Sequence, residues 1–353
     1  MVKRLEQTLD LLTVSLLPGA GGRWVHTLLA QRSLAHLLAH PDDHADVVPE
    51  PALALIRSGE ARRRAEAEWQ RAASGGHRIV GRDEPDYPGW LRRIFDPPLV
   101  LHVRGVLRAD EGPASLAIVG SRQCSPAGVA WARAAARDLA AAGLTIVSGL
   151  ARGIDTAAHE GALAASGRTV AVLGSGLDRV YPAENGRLAA KVAERGAVVS
   201  EFPLGSEPRP EHFPRRNRLI AGWGRAVVVV EAAERSGALV TARLAGEEGR
   251  DVMAVPGHPG SLVASGTNAL IRDGAVLVRN AADVAQEMGV ALRPEASEPA
   301  AGLLGVLTRD DPRGVEEILS RSGQSVQQVL AELMTLEMED KVRRLPGALY
   351  VRN

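Results

Sequence analysis

The sequence predicts an α/β protein built on an open parallel sheet, preceded by a small helical module and followed by a winged helix. Three observations carry this expectation. Between Ser115 and about Val290, apolar β-branched runs of four to six residues alternate with Ala-rich segments of helical period. Continuous apolar runs are strands covered on both faces, and their alternation with helices implies right-handed βαβ units. Residues 1–75 lack such runs and read as short helices, whereas 301–353 read as three helices and a hairpin, the winged-helix pattern.

Taken in order, Leu9, Leu12, Leu16 and Leu17 recur at helical spacing until Pro18-Gly19-Ala20-Gly21-Gly22 breaks the pattern, and a second helix is expected from about Trp24 to Leu38. The broken turn resembles a helix-hairpin-helix element, whose bare amides can approach a phosphate; a plain helical turn is the better-supported reading. Residues 76–114 form a Pro-rich connector expected to pack on the core, with a short strand near Leu99 to Val103. The strands of the core (115–290) are LAIVG (116–120), LTIVSG (144–149), TVAVLG (169–174), AVVSEF (197–202), AVVVVEA (226–232), DVMAVPG (251–257) and AVLV (275–278). Helices are expected at 126–142, 155–166, 185–195, 217–223 and 238–249. ALRPEASEPA (291–300) reads as a polar linker, and helices near 301–307, 313–321 and 325–338 precede the hairpin VRRLPGALYV.

Composition excludes several functions. A chain of 353 residues suggests two or three domains, and 45% hydrophobic with 24% charged residues is ordinary globular composition. Lys+Arg and Asp+Glu are both 42, so any nucleic-acid site must be a local patch. Only Lys3, Lys191 and Lys341 are lysines, and none follows a glycine, which rules out a Walker-type phosphate loop. The single Cys124 can form neither an internal disulfide nor a CxxC site and fits a reducing cytosol. Glu6 and Asp10 interrupt the N-terminal segment before any apolar run, so it reads as an amphipathic helix rather than a signal peptide. No stretch approaches the length of a membrane span, and a cytoplasmic location is expected.

Ligands of open α/β sheets bind beyond the carboxyl ends of the strands. Here those ends read Gly120-Ser121-Arg122, Ser148-Gly149 followed by Arg152, and Gly174-Ser175-Gly176, while Ser236-Gly237 opens a helix after the fifth strand. Small residues with bare amides at helix starts make an anion cradle. The first turn is not GxGxxG: Arg122 stands where a dinucleotide fingerprint needs a small residue. A guanidinium there would donate to a phosphodiester.

The densest cationic run is Phe213-Pro214-Arg215-Arg216-Asn217-Arg218, within a stretch that also holds Arg209 and Arg225 against Glu207 and Glu211. An aromatic face beside planar guanidiniums suits unpaired nucleic acid, by stacking any base and neutralising the backbone. The same run fits a helix start capped by Pro214 and solvated by its arginines. Asp155 and His159, four apart, read as an N-cap and a packed residue rather than a catalytic pair. His36, His40 and His44 make a poor metal set because Pro41 interrupts them. No catalytic set, metal or cofactor is expected. The presumed recognition helix, from Ser325 to Glu337, contains no Lys or Arg, which argues for protein contact or an auxiliary role rather than groove binding, with Arg343 and Arg344 the counter-evidence.

Together, IVGSR (118–122), SGLARGIDTAAHEGAL (148–163), LGSGLDRVYPAEN (173–185), SEFPLGSEPRPEHFPRRNRLIAG (200–222), VVVEAAERSGALVTARLAGEEGRDVMAVPG (228–257), SGTNALIRDGA (265–275) and the connector's YPGWLRRIFDPPLVLHVRG (87–105) closely resemble the DNA-processing protein A (DprA, Smf) family of bacterial transformation factors. The resemblance implies a sterile-alpha-motif-like N-terminal domain, an extended Rossmann core and a C-terminal winged helix. It also implies a homodimer that binds single-stranded DNA and loads RecA onto it against single-stranded-DNA-binding protein, in transformation or repair, without nucleotide hydrolysis. The DNA-contacting positions it suggests are Gly120 to Arg122, Gly174 to Gly176, Phe213, Arg216 to Arg218 and Ser236-Gly237. The chain departs from the family pattern at Ala127, at Trp223-Gly224 and at Asp340, where a glycine is usual before the wing. The rival reading is a Rossmann-fold nucleotide phosphoribohydrolase of the lysine-decarboxylase-like group. Those enzymes carry PGGxGTxxE, whereas the comparable turn here is ERSGALVTA, without the paired glycines or the acid in register.

Overall fold

The structure, a computed structural model, describes residues 2–20, 24, 25, 27, 28, 34–292, 302–308 and 311–352. Most of the expected linker (291–300), Gly21 and Gly22 of the first turn and part of the second helix lie outside the described residues. The chain divides into two compact units, residues 1–292 and 293–353.

The first unit opens with helices α1 (Val2–Ser15), α2 (Leu34–Ala39), α3 (Glu50–Arg57) and α4 (Glu60–Ser74). Two strands, β1 (Arg78–Gly81) and β2 (Val100–Gly105), lead into the alternating region. That region runs β3 (Ser115–Val119), α5 (Pro126–Ala141), β4 (Thr145–Ser148), α6 (Ile154–Ala164), β5 (Thr169–Leu173), α7 (Gly186–Arg195) and β6 (Ala197–Ser200). It continues α8 (His212–Trp223), β7 (Ala226–Val229), α9 (Gly237–Glu247), β8 (Asp251–Ala254), α10 (Ser265–Arg272), β9 (Val276–Leu277) and α11 (Ala281–Met288).

All seven strands expected from sequence form, and they pair in parallel in the order β6-β5-β4-β3-β7-β8-β9. The sheet is larger than the sequence suggests. β2 joins β6 antiparallel, and β1, which lies in the segment that reads as connector, joins β2 antiparallel. A four-residue strand has too little sequence to show a period, and only its partner makes it a strand.

Side chains alternate across the sheet. Ala117, Val119, Val227 and Val229 face a core shared with α8 and α9, while Leu116, Ile118, Ala226 and Val228 face one shared with α5, α6 and α11. Small alanines on α5 and α6 (Ala132, Ala136, Ala158, Ala162) let these helices lie close to the sheet and to each other. Trp223, one of the departures from the family pattern, is fully buried in the first of these cores.

The N-terminal helices are part of the same compact unit. Leu11, Leu12, Leu53 and Ala65 pack with Ile79 of β1 and Leu99 and Val100 at the start of β2. A polar tie reinforces the join. Buried Glu68 on α4 accepts the Leu204 N–H at 2.7 Å, lies 2.9 Å from His102 Nε2 on β2 and is bonded to Arg71.

In the second unit, α12 (Leu303–Val306), α13 (Val315–Ser322) and α14 (Val326–Met338) cover a small sheet in which β10 (Arg313–Gly314) and β11 (Val342–Leu345) flank β12 (Leu349–Arg352). A capping box between Ser325 and Gln328 starts α14. Asp340, where the resemblance leads one to expect glycine, has φ +56°, a left-handed turn that Asp tolerates better than most side chains.

Burial alone would raise the Glu68 pKa, but the bonds from His102 and the Leu204 N–H and the Arg71 charge outweigh it and hold the carboxyl below its ordinary value of 4.5. Its stabilising contribution is therefore full above that value and lost as pH falls through the depressed one. Glu68→Ala should cost about 3–5 kcal/mol, because it leaves buried partners unpaired. Urea unfolding of Glu68→Gln should show a shallower loss of stability than wild type between about pH 5 and pH 3; parallel curves would show that the tie does not stabilise the fold.

Candidate nucleic-acid interface

The parallel strands β5, β4, β3 and β7 deliver Gly174, Gly149, Gly120 and Glu231 to one edge of the sheet. The strand order reverses between β3 and β7, the position where open sheets leave a crevice. After β3 the chain is fixed by three contacts. Ser121 N–H donates to the Glu231 carbonyl at 2.7 Å, Ile154 N–H donates to the Ser121 carbonyl, and Ser121 Oγ accepts from the Gln123 N–H. This turn leaves Arg122 and Gln123 exposed on the rim.

Helix α8 begins at His212, five residues before the expected start, so the FPRRNR run is helical. Helical geometry sorts that run by face. Phe213, Arg216 and Asn217, at i, i+3 and i+4, turn toward the strand ends. The Arg122 guanidinium lies over the Phe213 ring at 5.0 Å and that of Arg216 at 5.9 Å, while the Tyr181 ring sits 5.9 Å away, tilted by 49°. A Cβ on Gly174 would lie 3.1 Å from the Phe213 ring, so glycine there lets the aromatic approach the strand end. Arg122, Gly149, Arg152, Tyr181, Phe213 and Arg216 line a cavity of about 310 Å³.

Arg216 is the floor of this site, only 4% exposed. Its Nη1 donates to the carbonyls of Gly149 and Val172, at 2.6 Å each, and its Nε donates to Asn217 Oδ1 at 3.2 Å. The guanidinium explains Gly149, where any Cβ would stand 2.2 Å from Arg216 Nη1. Buried Asp155 supplies the opposing charge while accepting the Gly149 and Ala151 N–H groups. Burial lowers the Arg216 pKa to about 10, against the pull of Asp155, so the group stays cationic at neutral pH. Asp155 is not the N-cap expected from sequence: Gly153 holds that position, and the carboxylate braces the preceding loop. His159 packs below, with Nδ1 2.7 Å from Thr169 Oγ1, and burial drives its pKa down to about 3, so it is neutral.

The remaining residues singled out from the sequence are engaged in other contacts. Arg215 and Arg218, three apart on the other side of α8, both pair with Glu201, and Arg218 also reaches Asp96 at 3.1 Å. They anchor the helix and do not form one patch with Arg216. Arg152 lines the cavity but is held by two 2.7 Å bonds to Glu184. Ser175 turns inward and donates to the Arg179 carbonyl, and Gly176 bonds through its N–H to the Ser206 carbonyl. Ser236 caps α9, and the Gly237 carbonyl accepts Asn217 Nδ2 at 3.3 Å, tying that helix start to α8. Sequence reasoning misses Tyr181 and Asp155 as members of the site. The only sequence signal for Tyr181 is its rarity, one of three tyrosines.

Other chemistry is disfavoured by local geometry. Burial pushes the Cys124 thiol up, away from nucleophilic reactivity. His36 Nδ1 lies 2.9 Å from His44 Nε2, and among the described residues no group of three or more His, Cys, Asp or Glu side chains is arranged to hold a metal. Among the described residues no helix is long and apolar enough to cross a membrane. Helix α14 exposes Val326, Leu330, Met334 and Met338, four residues apart in turn.

Comparison with known proteins places this geometry. Residues 78–289 match the family model of DNA recombination-mediator protein A, and residues 290–348 match that of the DprA winged helix domain. Protein Smf of Escherichia coli (strain K12) is 41% identical over 292 residues, covering 78% of this chain and 77% of its own. DNA processing protein DprA of Streptococcus pneumoniae is 46% identical over 201 residues, 57% of this chain and 71% of its own. The X-ray structure of DprA from Streptococcus pneumoniae superposes with a TM-score of 0.66 at 36% identity, covering 78% of this chain and 95% of that one. DNA processing protein A from Helicobacter pylori, whose structure concerns its single-stranded DNA binding mode, gives a TM-score of 0.55 at 28% identity over 60% of this chain and 95% of that one. With a family model matched over more than half its length and the accompanying domain following in sequence, the chain belongs to the DNA recombination-mediator protein A (DprA, Smf) family.

Proposed function

We propose that this protein binds single-stranded DNA at the carboxyl edge of its parallel sheet and loads RecA onto it against single-stranded-DNA-binding protein, acting as a homodimer without catalysing a reaction. Natural transformation, and DNA repair, are the processes it would serve. The observation that carries the reading is the Phe213 ring beside the Arg122 guanidinium in a cleft at the strand ends, with buried Arg216 as its floor. A half-buried ring lining the cavity can stack any base, and Arg122 on the rim is placed to meet the adjoining phosphate. The phosphoribohydrolase reading has less support. Glu231, two residues past β7, accepts both the N–H and the hydroxyl of Ser125, the N-cap residue of α5, and so is engaged in holding that helix start. The apolar exposed face of α14 fits protein contact better than a DNA groove.

Arg122→Ala should weaken binding to single strands and reduce the log–log salt slope by roughly 0.7 for each phosphate no longer neutralised; unchanged affinity and slope would remove Arg122 from the interface. Phe213→Ala should lose about 1–3 kcal/mol of binding, equally on thymine and adenine homopolymers. A strong homopolymer preference in the wild type would indicate readout of base edges instead. The mediator role is tested by RecA strand exchange on single strands precoated with single-stranded-DNA-binding protein. Stimulation by this protein that disappears in Arg122→Ala is expected, and no stimulation despite tight DNA binding would refute RecA loading.

A further inference from the structure

Beside the aromatic cavity, α6 and α7 bound a groove of about 610 Å³. Helix α7 buries Ala189 and Val192 and leaves Arg187, Lys191 and Arg195 exposed along this groove. Their i, i+4, i+8 spacing forms one row, with successive charges about 6 Å apart along the helix axis. Like charges four apart oppose helix formation, and the one acid within the span of this row, Glu194, forms no ion pair with its i−3 neighbour Lys191. Most arginines near the site are engaged: Arg215 and Arg218 by Glu201, Arg152 by Glu184, Arg216 by backbone carbonyls. Among the described residues none of the three α7 cations is held by an ion pair or hydrogen bond. The groove's acids are mostly neutralised. Glu160 is bonded to Arg133 and Glu184 to Arg152, which leaves Glu194 as the unpaired acid of that wall. The Arg152–Glu184 pair also joins the two concavities, since Arg152 lines the aromatic cavity and Glu184 lines the groove.

We infer that the α6–α7 groove is a second binding segment for the same polyanion. A strand whose base stacks on Phe213 continues over the Arg152–Glu184 pair, and its sugar-phosphate backbone runs along α7 with phosphates facing Arg187, Lys191 and Arg195. The inference rests on the single-strand reading above and adds the direction in which the strand leaves the pocket.

The test compares the full chain with Arg187→Ala/Lys191→Ala/Arg195→Ala on oligothymidylates of about 4 and about 16 nucleotides. The short strand, which fills only the aromatic cavity, should bind both proteins equally. The long strand should bind the triple variant at least about tenfold more weakly, with a salt slope lower by roughly 2 for three phosphates left without a cation. Glu194→Gln should tighten the long strand alone. Wild-type affinity and slope for the long strand in the triple variant would overturn the α7 path while leaving the cavity reading intact. Failure of the wild type to bind either strand would overturn both. Thermal melting checks that the triple variant folds, and Lys191→Glu, a single change on an exposed helix face, carries the same comparison if it does not.

Discussion

A buried guanidinium organises the functional edge of this molecule. Arg216 closes off the carbonyls of Gly149 and Val172 at the ends of two neighbouring strands, and Asp155 balances its charge from below. Removing a cation from water is expensive unless its donors are bonded and its charge opposed; here Arg216 donates to two strand-end carbonyls and to Asn217, and the Asp155 charge opposes its own. The consequence is positional. With Arg216 locked, the first turn of α8 holds Phe213 against Gly174, and Arg122 closes over the ring from the end of β3. Gly149 and Gly174 thus serve two different close approaches, one by a guanidinium and one by an aromatic ring.

The neutral total charge takes on meaning once each arginine is placed. Many guanidiniums are consumed in ion pairs that fasten helices to loops, as Arg218 does through Glu201 and Asp96, and they contribute little field. Among the described residues Arg122 on the turn after β3 and Arg187, Lys191 and Arg195 on α7 stay out of ion pairs, as do Arg93, Arg104 and Arg108 elsewhere on the first unit. A chain with no net charge can therefore present a cationic path, because pairing removes charge elsewhere.

The N-terminal helices bear on the same edge indirectly. They pack on two antiparallel strands that extend the sheet beyond β6, and Glu68 bonds both to β2 and to the loop after β6. That loop leads on to α8. The helical module is thus tied through one buried carboxylate to the segment that precedes the aromatic anchor.

Much of this is legible in the sequence. Continuous apolar runs of valine, isoleucine and alanine can be satisfied only as strands covered on both faces, so the parallel sheet, its seven strands and the glycines at their ends follow from local pattern and the period of the backbone. The order of motifs is enough to suggest the family. Tertiary structure alone decided which arginine does what. Arg215, Arg216 and Arg218 are indistinguishable in composition, yet a helix starting at His212 directs one inward and two toward Glu201. Tyr181 joins the cleft and Asp155 braces it through contacts distant in sequence, for which no local signal exists. Strand Arg78–Gly81 exists because β2 offers it hydrogen bonds. Periodicity records which face a residue turns to the core; it carries no record of which partner waits there.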